Sequence, residues 1–379
     1  MLNVKNKKKL NNICILCNDN ATNIFLKKNQ FKSISSDGNL IFSNCKVFYC
    51  NSCKYFFKKN NNEYKKNLKK IYDNYKIEPE FNTETNFLNN KKIYTRSDSI
   101  IDFLKKKKLL GGKNKIKILD YGIGNGELIK KLSSRTKNII HGYDIKVSPK
   151  LKKQKKFKTL SRIKDLLNNK YDLIFMIHVI EHVTNYKKLF KIISKISKKN
   201  TILFIQTPNI NNYLIDFLIY DHASHFNMKS LSRLFLKYNN GKIFFFDIIN
   251  KEISAILSRK HLTNSIKIKK PVNLIVENIF ERISIIFKDL KKLKLYDFLG
   301  AGNKLKLIKA NIGLKNLRKV IDEDINKQNQ KIFGKEVVSK DINQKNDHTP
   351  IVIIDNKKNF LRLKKKYYNR KIIHYNSQS

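Results

Sequence analysis

The stretch KIKILDYGIGNGELIKKL, residues 115–132, constrains the fold more than any other. An apolar strand pattern ends at Asp120, glycines follow at 122, 124 and 126, and a helical pattern starts at once. A strand that feeds a helix through a glycine-rich turn is the opening unit of an α/β sheet. Glycine lets the backbone turn tightly and approach a ligand, because no Cβ intervenes. The N–H groups that open the following helix point back at the same spot. The loop is therefore a binding loop, and its spacing narrows the ligand. A dinucleotide fingerprint GxGxxG needs its third glycine where Glu127 stands. The spacing here is Asp120-x-Gly122-x-Gly124-x-Gly126 instead.

Elements of the same kind extend over 96–265. The pattern predicts helices at 97–108, 126–134 and 184–197, and strands at 115–120, 138–144, 171–177 and 201–206. Strands alternating with helices predict a parallel sheet covered by helices on both faces. The runs LIFMI and ILFI suit strands buried on both sides. Beyond residue 268 a helical period covers 271–292, with Pro271 in its first turn. KLYDFLGAGNKLKLIKANIG then repeats the strand–glycine–helix order, and strands are expected near 317–321 and 351–355. These features predict a second, smaller Rossmann-like α/β domain. Its GAGN loop (300–303) either holds a phosphate at a helix N-terminus or is a plain turn. The basic stretch from Lys357 reads as a solvated helix and tail. The expected boundaries are 1–70, 71–265 and 266–379.

All five cysteines lie near the start of the chain. Cys14-x-x-Cys17 and Cys50-x-x-Cys53 form two knuckles, and each can give two thiolates to one tetrahedral Zn²⁺. Four protein ligands leave no open position, so the ion would be a structural staple. Cys45 stands outside the pairing.

The formal net charge of +50 invites a nucleic-acid reading. However, nine of the 80 basic residues are arginine, the better reader of phosphates and bases. The lysines are spread along the whole chain, which reads as compositional drift and not as a dedicated nucleic-acid surface. The charge still favours anionic small-molecule substrates. No apolar run approaches the roughly 18 residues of a membrane span. The opening MLNVKNKKKLNN has no apolar core of a secretory signal behind it, so a cytoplasmic protein is expected.

The next predicted strand ends at Asp144, in HGYDIK, placed to accept hydrogen bonds from ribose hydroxyls. YDLIFMIHVIEHV (171–183) follows as a buried strand leading into His178, Glu181 and His182. In this order the segments resemble the class I S-adenosylmethionine-dependent methyltransferases. The resemblance implies a cofactor site at Asp120, Gly122, Gly124, Gly126, Asp144 and His178. The adenine contact is expected at 161–163, a stretch without a convincing acid, since Asp165 falls slightly too far on.

From Cys14 to the strand at 351–356, the whole arrangement is similar to the sugar-nucleotide C-methyltransferase family. Its members methylate carbon beside the keto group of deoxysugar nucleotides. IYDNYKIEPE (71–80) resembles the tyrosine-containing connector of that family, and IYDHASHF (219–226) its acid–histidine segment. Asp221 stands where those enzymes usually have glutamate. The resemblance implies a nucleotide-sugar substrate. It also implies His222 as base oriented by Asp221, His182 and His225 as the next candidates, and Tyr75 as donor to a developing enolate. Glu181 either caps the helix near Thr184 or orients His182. Two other readings compete: an O- or N-methyltransferase acting on another metabolite, and a zinc-containing protein that binds or methylates RNA.

Overall fold

The computed structural model describes residues 13–24, 31–43, 46–75, 86–89, 92–112, 114–238, 241–249, 251–259, 279–322, 327–338, 348–355 and 370–376, with a few single positions besides. Cys45, residues 76–80 of the expected connector and 271–278 of the expected helix lie outside them. Strands β1 (Val47–Cys50) and β2 (Tyr55–Lys58) form a hairpin, and helix α1 (Asn62–Asp73) follows. The Asn61 side chain accepts the Tyr64 N–H to start α1, which buries Tyr64, Leu68 and Ile71. Thr95 and Asp98 form a capping box that starts α2 (Arg96–Lys106).

The central sheet is built from β3 (Lys117–Tyr121), β4 (Ile139–Tyr143), β5 (Lys158–Leu160), β6 (Tyr171–Ile177) and β7 (Ser197–Pro208). Helix α3 (Glu127–Arg135) follows β3, and α4 (Tyr186–Ile196) precedes β7. After β7 come β8 (Ser224–His225), α5 (Met228–Tyr238), β9 (Lys242–Phe246) and β10 (Glu252–Ser258). The seven strands stand in the order β5-β4-β3-β6-β7-β10-β9. The expected parallel sheet is corrected at one strand: β10 runs antiparallel to both β7 and β9. The cause is the length of the connection. Only residues 247–251 separate β9 from β10, enough for a hairpin, whereas a parallel crossover takes a dozen or more.

Side chains alternate across this sheet as the period of two requires. Ile118, Leu173, Phe175, Phe204 and Phe244 pack with Ile100, Leu104 and Ile129 of α2 and α3. Leu119, Ile174, Met176, Ile205 and Phe245 face the other way, onto Phe190, Ile193, Leu234 and Phe235 of α4 and α5. Cys14, Cys50, Cys53 and Tyr55 join this second core, so the N-terminal segment is packed onto the sheet.

The third part contains α6 (Ile279–Lys292), β11 (Tyr296–Leu299), α7 (Asn303–Ile312), β12 (Leu317–Ile321), β13 (Lys335–Val338), β14 (Ile351–Asp355) and β15 (Ile372–Asn376). Its sheet order is Lys331–Ile332, β13, β12, β11, β14, β15. The solvated tail expected after Lys357 is corrected by β15, which pairs with β14 in parallel. IIHYN carries β-branched and aromatic residues, and Arg370 just before it donates to the buried Asp297 carboxylate at 2.7 Å. Those two features anchor the strand. Among the described residues no helix is long and apolar enough to cross a membrane.

One further pairing places the site. Strand β8 adds antiparallel to β2, so a segment between two strands of the central sheet completes the N-terminal sheet. Ser224 Oγ meets the hydroxyls of Tyr55 and Tyr186, the latter at 2.7 Å, and Lys58 Nζ donates to the carbonyls of Ile219 and Tyr220.

Phe204 is fully buried between β6 and the helices below it. Phe204→Ala should cost about 3–5 kcal/mol of unfolding free energy, while Leu236→Ala on the outer face of α5, 74% exposed, should change it by less than about 0.5 kcal/mol. Urea titrations of both variants check the difference.

Candidate active site

The glycine loop leaves β3 and is tied to the end of β4, where Tyr143 O accepts from Gly122 N at 2.7 Å and from Ile123 N at 3.2 Å. Gly122 and Gly126 are glycine for packing: a Cβ would strike Val179 at the first and Leu151 at the second. All three have positive φ, +88°, +51° and +75° in chain order, but at Gly124 a Cβ would meet open space. The Gly124 N–H donates to Asp144 Oδ2 at 3.1 Å. Asp120 lies buried behind the loop, and burial together with Asp144 pushes its carboxyl up to about 8. Burial also raises the Asp144 carboxyl. The open space at Gly124, with a carboxylate on its rim, is the kind of volume that a nucleoside with ribose hydroxyls fills.

Beyond this rim, Ser161 and Arg162 border a cavity of about 620 Å³ that Val147, Leu160 and Asp165 also line. Arg162 donates to both oxygens of Asp165, at 2.7 and 3.0 Å, so this acid is already engaged.

His178 follows β6 with φ +52°, a left-handed conformation that turns the chain sharply. Its Nδ1 lies 3.0 Å from Glu181 Oε1 and its Nε2 3.0 Å from Glu252 Oε1. Burial pulls the ring down, but Glu252 and Glu181 outweigh it and lift His178 to about 9. Glu181 also accepts from Thr207 Oγ1 at 3.0 Å. Both roles expected for Glu181 are thereby corrected. The helix that follows is capped by Asn185, which accepts the Lys188 N–H, and the ring that Glu181 bonds is His178, three residues back on the same turn.

The histidines of IYDHASHF come out differently from the expected pairing. His222 Nδ1 lies 2.7 Å from Asp216 Oδ1, so Asp216 and not Asp221 holds it. Neighbouring residues project in different directions, and Asp221 turns the other way. It accepts Ser36 N at 2.7 Å and Ser36 Oγ at 2.6 Å, and lies 3.3 Å from His182 Nδ1. His182 Nδ1 also lies 3.1 Å from Asp221 O. The second oxygen of Asp216 takes His225 Nδ1 at 2.6 Å. Burial opposes ionisation of Asp216 and Asp221, yet their histidine partners hold both carboxyls well below the usual carboxylate range. The His182 and His222 rings meet edge to face with centroids 4.7 Å apart. The His222 side chain keeps 9% exposure and His182 keeps 20%, whereas His225 is fully enclosed.

Asp216 had escaped the sequence reading. Its signal was an acid inside the apolar run YLIDFLIY, a place where a charge is costly unless paired.

The end of α1 and the tip of a hairpin formed by strands Lys32–Ile34 and Ile41–Ser43 close the site. Tyr72 OH lies 3.4 Å from His182 Nδ1, and Lys146, just past Asp144, donates to the Tyr72 and Asp73 carbonyls. The Tyr75 ring lies tilted beside Tyr72 with centroids 6.2 Å apart, and burial pushes its phenol up to about 12. The GAGN loop reaches the same place: Asn303 Nδ2 donates to Ser36 O at 2.9 Å and Lys306 Nζ to Asp37 O at 2.9 Å. One backbone donor of that loop, Ala301 N, is taken by Asp322 Oδ2 at 2.7 Å.

Cys14, Cys17, Cys50 and Cys53 converge, with ligand atoms all within 4.8 Å of one another and Cys17 Sγ 3.4 Å from Cys50 Sγ. None of the four is in a disulfide. A tetrahedral zinc with Zn–S bonds near 2.3 Å requires sulfurs about 3.8 Å apart, so the set fits such an ion. Burial pushes the Cys14 thiol up to about 12 and raises Cys53 as well, whereas hydrogen bonds from the Asp19 backbone and the other three cysteines outweigh burial and lower Cys17.

Residues 93–240 match the family described as a methyltransferase domain. Among curated proteins nothing matches the chain. Solved structures with partial likeness include a putative type 11 methyltransferase from Sulfolobus solfataricus, at 21% identity over 43% of this chain and 94% of that one, with a TM-score of 0.34. A putative O-methyltransferase from Nostoc punctiforme PCC 73102 is 10% identical over 42% of this chain and 56% of that one, with a TM-score of 0.35. The CurJ carbon methyltransferase is 12% identical over 43% of this chain and 54% of that one, also at 0.35. The chain thus spans little more than half the length of two of these proteins. Such scores carry no argument about the acceptor.

Asp144→Ala should weaken S-adenosylmethionine binding roughly 10- to 100-fold, the loss of a charged hydrogen bond. Calorimetry that finds unchanged affinity would remove Asp144 from the cofactor site. With the glycine loop and Asp144 on one rim and the match spanning both, the chain carries a methyltransferase domain over residues 93–240.

Proposed function

We propose that this enzyme methylates a carbon beside a ketone in a nucleotide-linked deoxysugar or a related glycan precursor. The observation that carries the reading is His222, a carboxylate-held imidazole that keeps an exposed edge beside His182. Both lie across the Tyr72 contact from the Asp144 rim. S-adenosylmethionine supplies a methyl group that is already activated. The chain's own residues then have two tasks: to hold the acceptor in line and to remove its proton. An imidazole is suited to take that proton near neutral pH. Tyr75, with its phenol kept protonated by burial, is available to donate to the oxygen on which enolate charge develops. The excess of lysine favours an anionic substrate such as a nucleotide sugar.

The four cysteines would hold one zinc ion, which when bound staples the N-terminal segment to the core that β8 and Tyr55 complete. Because this module supports the base-bearing segment, its loss should be felt at the site as well as locally.

Two measurements test these readings. With thymidine-diphosphate 4-keto-6-deoxyglucose as probe, the enzyme should wash solvent deuterium into the position beside the ketone. His222→Asn should slow this exchange by a factor of about 10²–10⁴ while leaving cofactor affinity intact. An unaltered exchange rate in the variant would make His222 structural, and methylation of an oxygen in place of carbon would refute the acceptor. For the metal, protein prepared under reducing conditions without chelator should carry about one zinc per chain, and Cys14→Ser should lose it. Metal analysis that finds none would refute the staple.

A further inference from the structure

We propose that Asp216 is the positioning residue of the site, and that its simultaneous bonds to His222 and to the enclosed His225 fix the proton of the His222 ring on Nδ1 and leave Nε2 as its basic atom. This rests on the reading of His222 as the base.

The argument is one of donors and acceptors. An ionised carboxylate has no proton to give, so each nitrogen bonded to it must be an N–H. Both Asp216 contacts are made by Nδ1, at 2.7 and 2.6 Å, one on each oxygen. The two rings are therefore held in the same tautomer by one carboxylate. For His222 this exposes Nε2 as the unprotonated nitrogen on the side away from Asp216.

His225 explains why the carboxylate stays in place. Its side chain is fully enclosed, so it touches neither solvent nor substrate. Burial and the nearby Lys58 cation keep this ring neutral, pulled down to about 4 in spite of Asp216. A neutral ring that cannot leave is a constant N–H donor to the second oxygen. The Asp216 carboxylate is thus bonded on one side by a fixed group and on the other by the working one. Its backbone is held too, within the turn where Asp216 N donates to Tyr213 O and Ile219 N donates to Asp216 O, both at 3.0 Å. Behind His225, β8 is locked to β2 by main-chain pairing. The order from the pocket inward is His222, Asp216, His225, then the N-terminal sheet.

Asparagine at 216 would offer one acceptor and one donor in place of two acceptors. One ring would then have to present a bare nitrogen to the new N–H, and its proton would move to Nε2.

Two-bond ¹H–¹⁵N spectra of the full-length protein labelled at histidine read the tautomers directly, with His222→Asn and His225→Asn used to assign the signals. In the unaltered protein both rings should carry their proton on Nδ1, a result that depends on no variant folding and on no substrate. Asp216→Asn should switch at least one ring. It should also lower kcat for deuterium exchange on the keto-sugar probe on the order of 10²-fold or more, with KM and the affinity for S-adenosylhomocysteine nearly unchanged. A proton on Nε2 of His222 in the unaltered protein overturns the inference. So does an Asp216→Asn enzyme with unchanged tautomers and full exchange, even when His222→Asn has lost it and the base assignment stands. Tautomers as stated, without exchange on the probe in any form of the enzyme, uphold the role of Asp216 and fail the keto-sugar reading.

Discussion

An ionised carboxylate removed from water must be surrounded by donors, and the segment 213–226 is organised around two of them. Burying such a charge costs several kcal/mol unless its partners are in place. Asp216 finds its partners six and nine residues ahead, in His222 and His225. Asp221 finds them in Ser36, in the turn between strands Lys32–Ile34 and Ile41–Ser43, and in His182 after β6. The Asp221 bonds cannot form until the N-terminal hairpin, the end of β6 and the segment 213–226 are assembled. The site is therefore a consequence of the assembly and could not be carried by the methyltransferase core alone.

The chemistry gathers where an α/β sheet collects ligands, outside the carboxyl ends of its parallel strands. The glycine loop follows β3, Asp144 follows β4, and His178 follows β6. Three neighbouring strands in the order β4-β3-β6 thus deliver the proposed cofactor rim. The proposed acceptor side comes from elsewhere: α1 brings Tyr72 and Tyr75, and the segment after β7 brings His222. GAGN at the start of α7 reaches the same region through Ser36, so all three parts of the chain contribute to one place.

Local patterns made much of this legible. The strand 171–177 and the helices after the glycine loops were readable because their hydrophobic period is strong and their ends are marked by glycine or a capping side chain. The four cysteines were readable because a metal demands a fixed pair spacing. Other features had no such local mark. The antiparallel β10 follows from the short connection behind it, and β15 from a partner strand and from Asp297. The pairing of Asp221 with His222 looked natural because the two are adjacent, but adjacent side chains do not share a direction. Glu181 was misread for a related reason: its bond runs back along the turn to His178.

Local sequence by itself determined the glycine-loop core, the place of Asp144 at the end of its strand and the cysteine knuckles, because each depends on spacing within a few residues. Tertiary structure alone decided which carboxylate holds which histidine. That choice rests on directions and distances between groups far apart in the chain: Asp221 is 185 residues from its Ser36 donor, and the His225 strand pairs with Phe56. Sequence order carries no information about such directions until the sheets have packed.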